Sequence, residues 1–261
     1  MKSTDDIIRF LSNFLLESPL NKGETDGVNY NYYSEPICAV ASSDDPLFQE
    51  LKKPEIVSPE FLSPLEWMPE AQSVISIFFP LSDHVRNSNY GTGLPSTEWL
   101  YARYEGGNQC IPESVKALIN AITYAGINVM APAFDKRFHG IKPFTSNWSE
   151  RHVAFVAGMG TFGLSRSFIT RKGIAGRFSS ILIDQQWPVT TRDYSGVYEY
   201  CNQCKVCLER CPSGAINLEY KDKAICSEYL DSMKEKYSPR YGCGKCQTNV
   251  PCETGIPGRA S

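Results

Sequence analysis

The chain predicts an α+β domain over residues 1–190 followed by a small cysteine-rich domain over residues 191–261. Three observations lead there. Helix-like and strand-like hydrophobic patterns alternate as far as Asp184, turn-forming residues break them between Gln185 and Val197, and eight of the ten cysteines follow that break.

Ile7, Ile8, Leu11, Phe14 and Leu15 form one helical stripe between Asp6 and Leu16, with Ser3, Thr4 and Asp5 as cap candidates. Residues 17–35 are polar, contain Gly and Asn, and read as an irregular connection. Val74 to Phe79, β-branched and aromatic and closed by Pro80, reads as a buried strand. Pro112 marks the start of a helix carrying Val115, Leu118, Ile119 and Ile122, and Gly126 marks its end. Asn128 to Ala131 and Phe178 to Asp184 read as strands, and Ser149 as the cap of a helix through the alanines that follow. Past the break, Ala224 to Lys236 reads as a helix with Cys226 near its start, and residues 255–259 as a closing loop.

Cys201-Asn-Gln-Cys204-Lys-Val-Cys207-Leu-Glu-Arg-Cys211-Pro212 is C-x2-C-x2-C-x3-C-P, the ligand spacing of a bacterial-ferredoxin [4Fe–4S] loop. In that motif the fourth cysteine serves a second cluster, for which Cys226, Cys243, Cys246 and Cys252 supply the remaining ligands. The ferredoxin crossover rule assigns Cys201, Cys204, Cys207 and Cys252 to one cluster, and Cys211, Cys226, Cys243 and Cys246 to the other. Four thiolates packed into one short loop that ends in Cys-Pro depart from the paired C-x2-C hooks of a zinc site. The start Met1-Lys-Ser-Thr-Asp-Asp-Ile has no apolar leader, so disulfides of a secreted protein are disfavoured and a reduced, cytoplasmic setting is expected. Cys38 and Cys110 read as small buried side chains.

Net charge is −3 and no stretch concentrates Lys and Arg, which argues against a nucleic-acid groove. No apolar run approaches the ~20 residues of a membrane span. Gly158-Met-Gly160-Thr-Phe-Gly163 matches G-x-G-x-x-G with Asp184 about 20 residues on, but a helix precedes it where a dinucleotide fold places a strand. The glycines themselves let backbone approach something flat or anionic.

The segment Glu150-Arg-His-Val-Ala-Phe-Val-Ala-Gly-Met-Gly-Thr-Phe-Gly-Leu-Ser165, with Tyr241-Gly-Cys-Gly-Lys-Cys-Gln247 and the cysteine order above, resembles epoxyqueuosine reductases and, more distantly, reductive dehalogenases. The resemblance runs from about Trp99 to Cys252. It implies a nitroreductase-related, cobalamin-binding-type α/β sandwich followed by a ferredoxin-like double-cluster domain. Cobalamin would sit base-off between them, taking low-potential electrons from the clusters for reductive chemistry on a small substrate. Gly158, Gly160, Thr161, Phe162, Gly163, Leu164 and Ser165 would face the corrin, with His152 as a further contact. Leu100-Tyr-Ala-Arg-Tyr104 matches the family's substrate-side segment.

Three departures stand out. The family's proton-donating Asp is replaced by Glu105-Gly-Gly-Asn-Gln-Cys110, which reads as a loop, so Glu105, Tyr104 and Arg103 are the catalytic candidates and Cys110 an alternative acid. The last cysteine follows Cys246 by a longer spacing than in the family. The chain ends at Ser261 without the helical-repeat module used on tRNA, so a tRNA substrate is not expected. A low-potential ferredoxin or flavodoxin is the expected donor. The competing readings are an electron-transfer protein acting on another protein's corrinoid, epoxyqueuosine-type tRNA modification, and an FMN enzyme. His84, His139, Tyr90 and Tyr101 read as surface, rim or core residues.

Overall fold

The computed structural model describes residues 1–141 and 143–259. Its centre is an antiparallel sheet of β1 (Ile37–Ser42), β2 (Ser73–Pro80), β3 (Val129–Met130) and β4 (Gly176–Ile183), ordered β1-β2-β4-β3. Every residue of β2 is buried, because the sheet is covered on both faces. Strand alternation sends Ile75, Ile77 and Phe79 into one core and Val74 and Phe78 into the other.

The first core is closed by α1 (Thr4–Glu17) and α2 (Ile111–Tyr124). Helix α1 buries Ile7, Leu11 and Leu15, and the Ser3 hydroxyl caps it by accepting from the Asp6 N–H at 3.3 Å. Helix α2 carries a proline in its first turn, buries Val115, Leu118 and Ile122, and gives way to Gly126 at φ 79°. The second core packs α3 (Glu150–Val156) and Trp148 against the opposite face, with Trp148 stacked on Phe61 at 5.6 Å.

Residues 17–35 are not irregular. Lys22–Thr25 pairs antiparallel with Val28–Asn31 around Asp26-Gly27, both at positive φ, a tight hairpin turn. Its strands are largely exposed, which leaves the hydrophobic pattern too thin to read. Asn128 to Ala131 contributes only the two residues of β3. The expected loop at Glu105 to Cys110 is instead the end of a π-helix, Ala102–Cys110, continuous with α2. Gly106 permits it, since a Cβ there would stand 2.9 Å from the Tyr33 ring and 3.1 Å from the Tyr32 ring.

Beyond β4 the chain stays on the sheet. Trp187 is buried in the first core, and Thr190 exchanges two hydrogen bonds with Val40, donating its N–H at 2.9 Å and accepting on Oγ1 at 3.0 Å. The cysteine-rich region then docks through several contacts. Arg86 Nε meets Glu253 Oε1 at 3.2 Å, with side-chain exposures of 11% and 6%. Asn89 Nδ2 donates to the Cys243 carbonyl at 3.0 Å and its Oδ1 accepts from buried Lys245 at 3.0 Å. Helix α4 (Lys223–Tyr237) begins at Asp222, whose carboxylate accepts from the Ala224 and Ile225 N–H groups.

Candidate functional site

Two groups of thiols surround two separate cavities. Cys201, Cys204, Cys207 and Cys252 border the first, together with Gly163, Leu164 and Ser165. Gln203 and Lys205 take left-handed φ of 53° and 67°, which curls the loop around its cysteines. Ile169, Ile174, Tyr194, Tyr200 and Val250 form an apolar shell, and burial pushes the Cys207 and Cys252 thiols up to about 12.

Cys211, Cys226, Cys243 and Cys246 border the second cavity, against Trp99, Arg103, Arg177 and Lys221. Burial raises the Cys211 thiol, but the Ser213 hydroxyl and the N–H groups of Ser213, Ala215 and Ile216 outweigh it and hold the group below its ordinary value. Gly244 sits at φ 70° with the Trp99 ring so close that a Cβ would lie 1.9 Å from Cζ2. Sulfur-directed N–H groups and an apolar wall are the surroundings that tune an iron–sulfur cluster. All ten cysteines are unbridged. Among the described residues no three Cys, His, Asp or Glu side chains converge to grip a single ion.

A cleft of about 1000 Å³ adjoins the second cavity. Arg103, Arg177, Lys221 and Gln247 line both spaces, so the thiols and the cleft share a wall. Trp148, Phe168 and Phe178 border the cleft as an apolar wall, the first two buried to 1% exposure, while Arg151, His152 and Lys223 add nitrogen groups. The Ser149 hydroxyl lies 2.8 Å from His152 Nδ1 rather than capping α3. Burial, reinforced by Arg151 and Lys223, lowers the His152 imidazole to about 4, so it is neutral at pH 7. Glu150 also borders the cleft, but both carboxylate oxygens are buried without a partner, and burial pushes it up to about 7.

Of the cofactor contacts expected from sequence, His152 alone borders this cleft. Gly160–Phe162 pairs with Phe168–Thr170 as a ribbon whose turn carries Gly163, Leu164 and Ser165 to the first thiol cavity. Gly160 is needed for that pairing, because a Cβ would fall 2.0 Å from the Ile169 carbonyl oxygen. Gly158 packs on Thr190, Thr161 Oγ1 accepts from the Tyr200 N–H at 2.9 Å, and the Phe162 ring lies 4.9 Å from His152. The G-x-G-x-x-G run thus follows a helix and enters a strand, the reverse of a dinucleotide turn.

The catalytic candidates separate in space. Arg103 borders both cavities, with its guanidinium 4.6 Å over the Tyr241 ring. Tyr104 is half-buried outside the cleft lining. Glu105 pairs with Arg240, whose Nε donates to Oε1 at 2.6 Å, and borders neither cavity. Glu105→Gln is therefore expected to weaken the docking of the C-terminal region by about 1 kcal/mol. The loss should shrink in high salt, as urea titrations at two ionic strengths will read; an unchanged midpoint in low salt refutes it. Cys110 is buried in the first core, His84 stacks on Tyr30 at 4.4 Å, His139 lies beside Glu60, and Tyr90 donates to Glu253. Sequence reading missed Trp99, Arg151, Arg177, Lys221 and Lys223 as site residues; Glu150-Arg151, at the start of the segment that carries the family resemblance, was the one available signal.

No family model matches the chain. It is 29% identical to an epoxyqueuosine reductase of Shewanella oneidensis over 189 residues, 65% of this chain and 46% of that protein. It is 34% identical to the Salmonella typhimurium epoxyqueuosine reductase over 116 residues, 39% of this chain and 29% of that protein. A tetrachloroethene reductive dehalogenase of Desulfitobacterium hafniense is 29% identical over 90 residues, 34% of this chain and 16% of the relative. The chain spans less than half the length of these homologues. Among solved structures, a selenomethionine-labelled epoxyqueuosine reductase superimposes with TM-score 0.56 at 16% identity, covering 98% of this chain and 66% of the other. A B12-dependent reductive dehalogenase does so with TM-score 0.53 at 13% identity, covering 83% and 30%. The mixed α/β fold is shared with both.

Proposed function

We propose that the chain is an iron–sulfur oxidoreductase that delivers low-potential electrons to a corrinoid in the 1000 Å³ cleft, for reductive chemistry on a small substrate. The observation that carries this reading is the wall of Arg103, Arg177, Lys221 and Gln247 common to the second thiol cavity and the cleft. Residues 191–261 form the ferredoxin-like domain and residues 1–190 the cofactor domain. Cys201, Cys204, Cys207 and Cys252 would hold one [4Fe–4S] cluster, and Cys211, Cys226, Cys243 and Cys246 the other. The donor sets fit: each is four unbridged thiols around its own cavity.

When bound, a corrinoid supplies a strongly reducing metal centre able to expel oxygen or halide from a substrate. The chain's own residues do the rest. Trp99 and Gly244 hold the second cysteine pair against the α/β domain. Arg103, Arg177 and Lys221 offset thiolate charge. Half-buried Phe178, with the buried rings of Phe168 and Trp148, supplies an apolar wall that excludes water. Neutral His152 is positioned by Ser149 to accept a hydrogen bond or relay a proton.

Anaerobically prepared protein is expected to hold roughly eight iron and eight sulfide per chain, and its spectrum should change when cobalamin is added under reducing conditions. Cys252→Ala should keep about half of that iron, losing the first cluster and sparing the second; retention of the full complement sinks the pairing. A yellow chromophore surviving iron chelation would select FMN instead. The engagement of Glu105 by Arg240 favours a second reading, a reductase acting on another protein's corrinoid, which predicts cobalt reduction without turnover of epoxide or halide substrates.

A further inference from the structure

The chain is acidic overall, with net charge −3, yet five cations from distant parts of the sequence line one cleft: Arg103, Arg151, Arg177, Lys221 and Lys223. None of the five lies within ion-pair distance of a carboxylate among the described residues, although ion pairs are plentiful elsewhere on the molecule. Arg103 additionally carries a buried Nε with no hydrogen-bond partner. Like charges gathered without counter-charges are unfavourable unless an anion joins them.

The second thiol set accounts for part of this. Arg103, Arg177 and Lys221 border its cavity, and a cubane with four thiolates carries about two negative charges. Arg151 and Lys223 border the cleft but not the thiol cavity. The Arg151 guanidinium is oriented by donating from Nη1 to the Arg166 carbonyl at 2.8 Å. The carboxyls along the cleft do not answer them: Glu55 is exposed, and the Glu150 oxygens are buried and unpartnered.

We propose that Arg151 and Lys223 form a receptor for a phosphate group carried by the ligand of the cleft. Planar guanidinium and ammonium together match the oxygens of a phosphate through charge-assisted hydrogen bonds. The phosphate belongs either to a small phosphorylated substrate or to the nucleotide tail of a corrinoid. The assignment rests on the proposed reading in one respect, that the Cys211 to Cys246 set neutralises the other three cations.

The test is calorimetric titration of the whole chain, prepared anaerobically, with inorganic pyrophosphate, at two salt concentrations, with iron measured on the same sample. Wild-type protein is expected to bind with steep salt dependence, and R151Q/K223Q to lose about tenfold or more in affinity. R151K/K223R, which keeps both charges, should retain binding, and Lys116→Gln, a distant surface change, should alter nothing. Competition of pyrophosphate with cobalamin but not with cobinamide, which lacks the phosphate tail, assigns the site to the cofactor. Simultaneous binding of pyrophosphate and cobalamin assigns it to the substrate. No binding by iron-replete wild type, or equal binding by R151Q/K223Q, overturns the proposal. A preparation without iron defeats the cluster reading separately, while the titration still decides the receptor.

Discussion

Gly244→Ala is expected to strip the second thiol set of the iron proposed for it and to unseat the cysteine-rich region. The residue lies between Cys243 and Cys246 at φ 70°, where a side chain costs roughly 1–2 kcal/mol. The new methyl would also fall 1.9 Å from Cζ2 and 2.0 Å from Cε2 of Trp99, an indole buried to 5% exposure. A ring so enclosed yields only by moving its neighbours, at about 1–3 kcal/mol more. The combined loss of about 2–5 kcal/mol corresponds to a fall in Tm of roughly 4–20 °C for a chain of this size. Iron content should drop by about half, because the displaced cysteines are those of one of the two proposed clusters. Thermal melting and iron analysis of the variant check both, and wild-type values in each would refute the close Trp99 contact as a determinant of the site.

The second large effect concerns Glu150. Its carboxyl is buried at the start of α3, beside Ser180 and Trp148, which are hydrogen-bonded to each other at 2.9 Å. Burial pushes the group from its ordinary 4.5 up to about 7, while Ser180 and Trp148 oppose the shift. The sign follows from proton counting. Below pH 4.5 folded and unfolded chains both hold the proton and stability is full. Between 4.5 and about 7 the unfolded chain ionises while the folded chain does not, so stability falls as pH rises. Above about 7 the loss is complete, on the order of 3 kcal/mol. Glu150→Gln keeps the shape and removes the titration. Relative to this variant, wild type should lose ~3 kcal/mol between pH 4.5 and 8. Urea midpoints measured for both proteins at the two ends of that range are the check; a constant difference would show that the carboxyl is solvated.

Local chemistry made much of the fold legible. Ser3 caps α1, Gly126 ends α2 and β2 is buried because β-branched and aromatic residues fit a covered strand, and these signals are contained within a few residues, whereas the helix expected to start at Pro112 runs on from the π-helix before it. The hairpin at Lys22–Asn31 was hidden because its exposed strands carry little alternation. The π-helix was hidden because two glycines and an asparagine read as a loop, whereas Tyr32 and Tyr33, some seventy residues away in sequence, supply the packing that makes Gly106 fit a helix. The glycine motif suits a ligand platform by sequence, yet its closest partners are the chain's own backbone at Ile169 and the first thiol cavity.

By itself the sequence determined the eight-cysteine pattern, the helices and strands with strong caps and runs, and the likeness to epoxyqueuosine reductases and reductive dehalogenases that its homologues bear out. Those are properties of short spacing, set by covalent reach and hydrophobic period. Only the tertiary structure decided that Glu105 faces Arg240 and that Trp99 locks Gly244. It also decided that five cations between Arg103 and Lys223 meet along one cleft of an acidic chain. No window of sequence contains that charge, because chain folding and not chain order brings its members within Coulombic range.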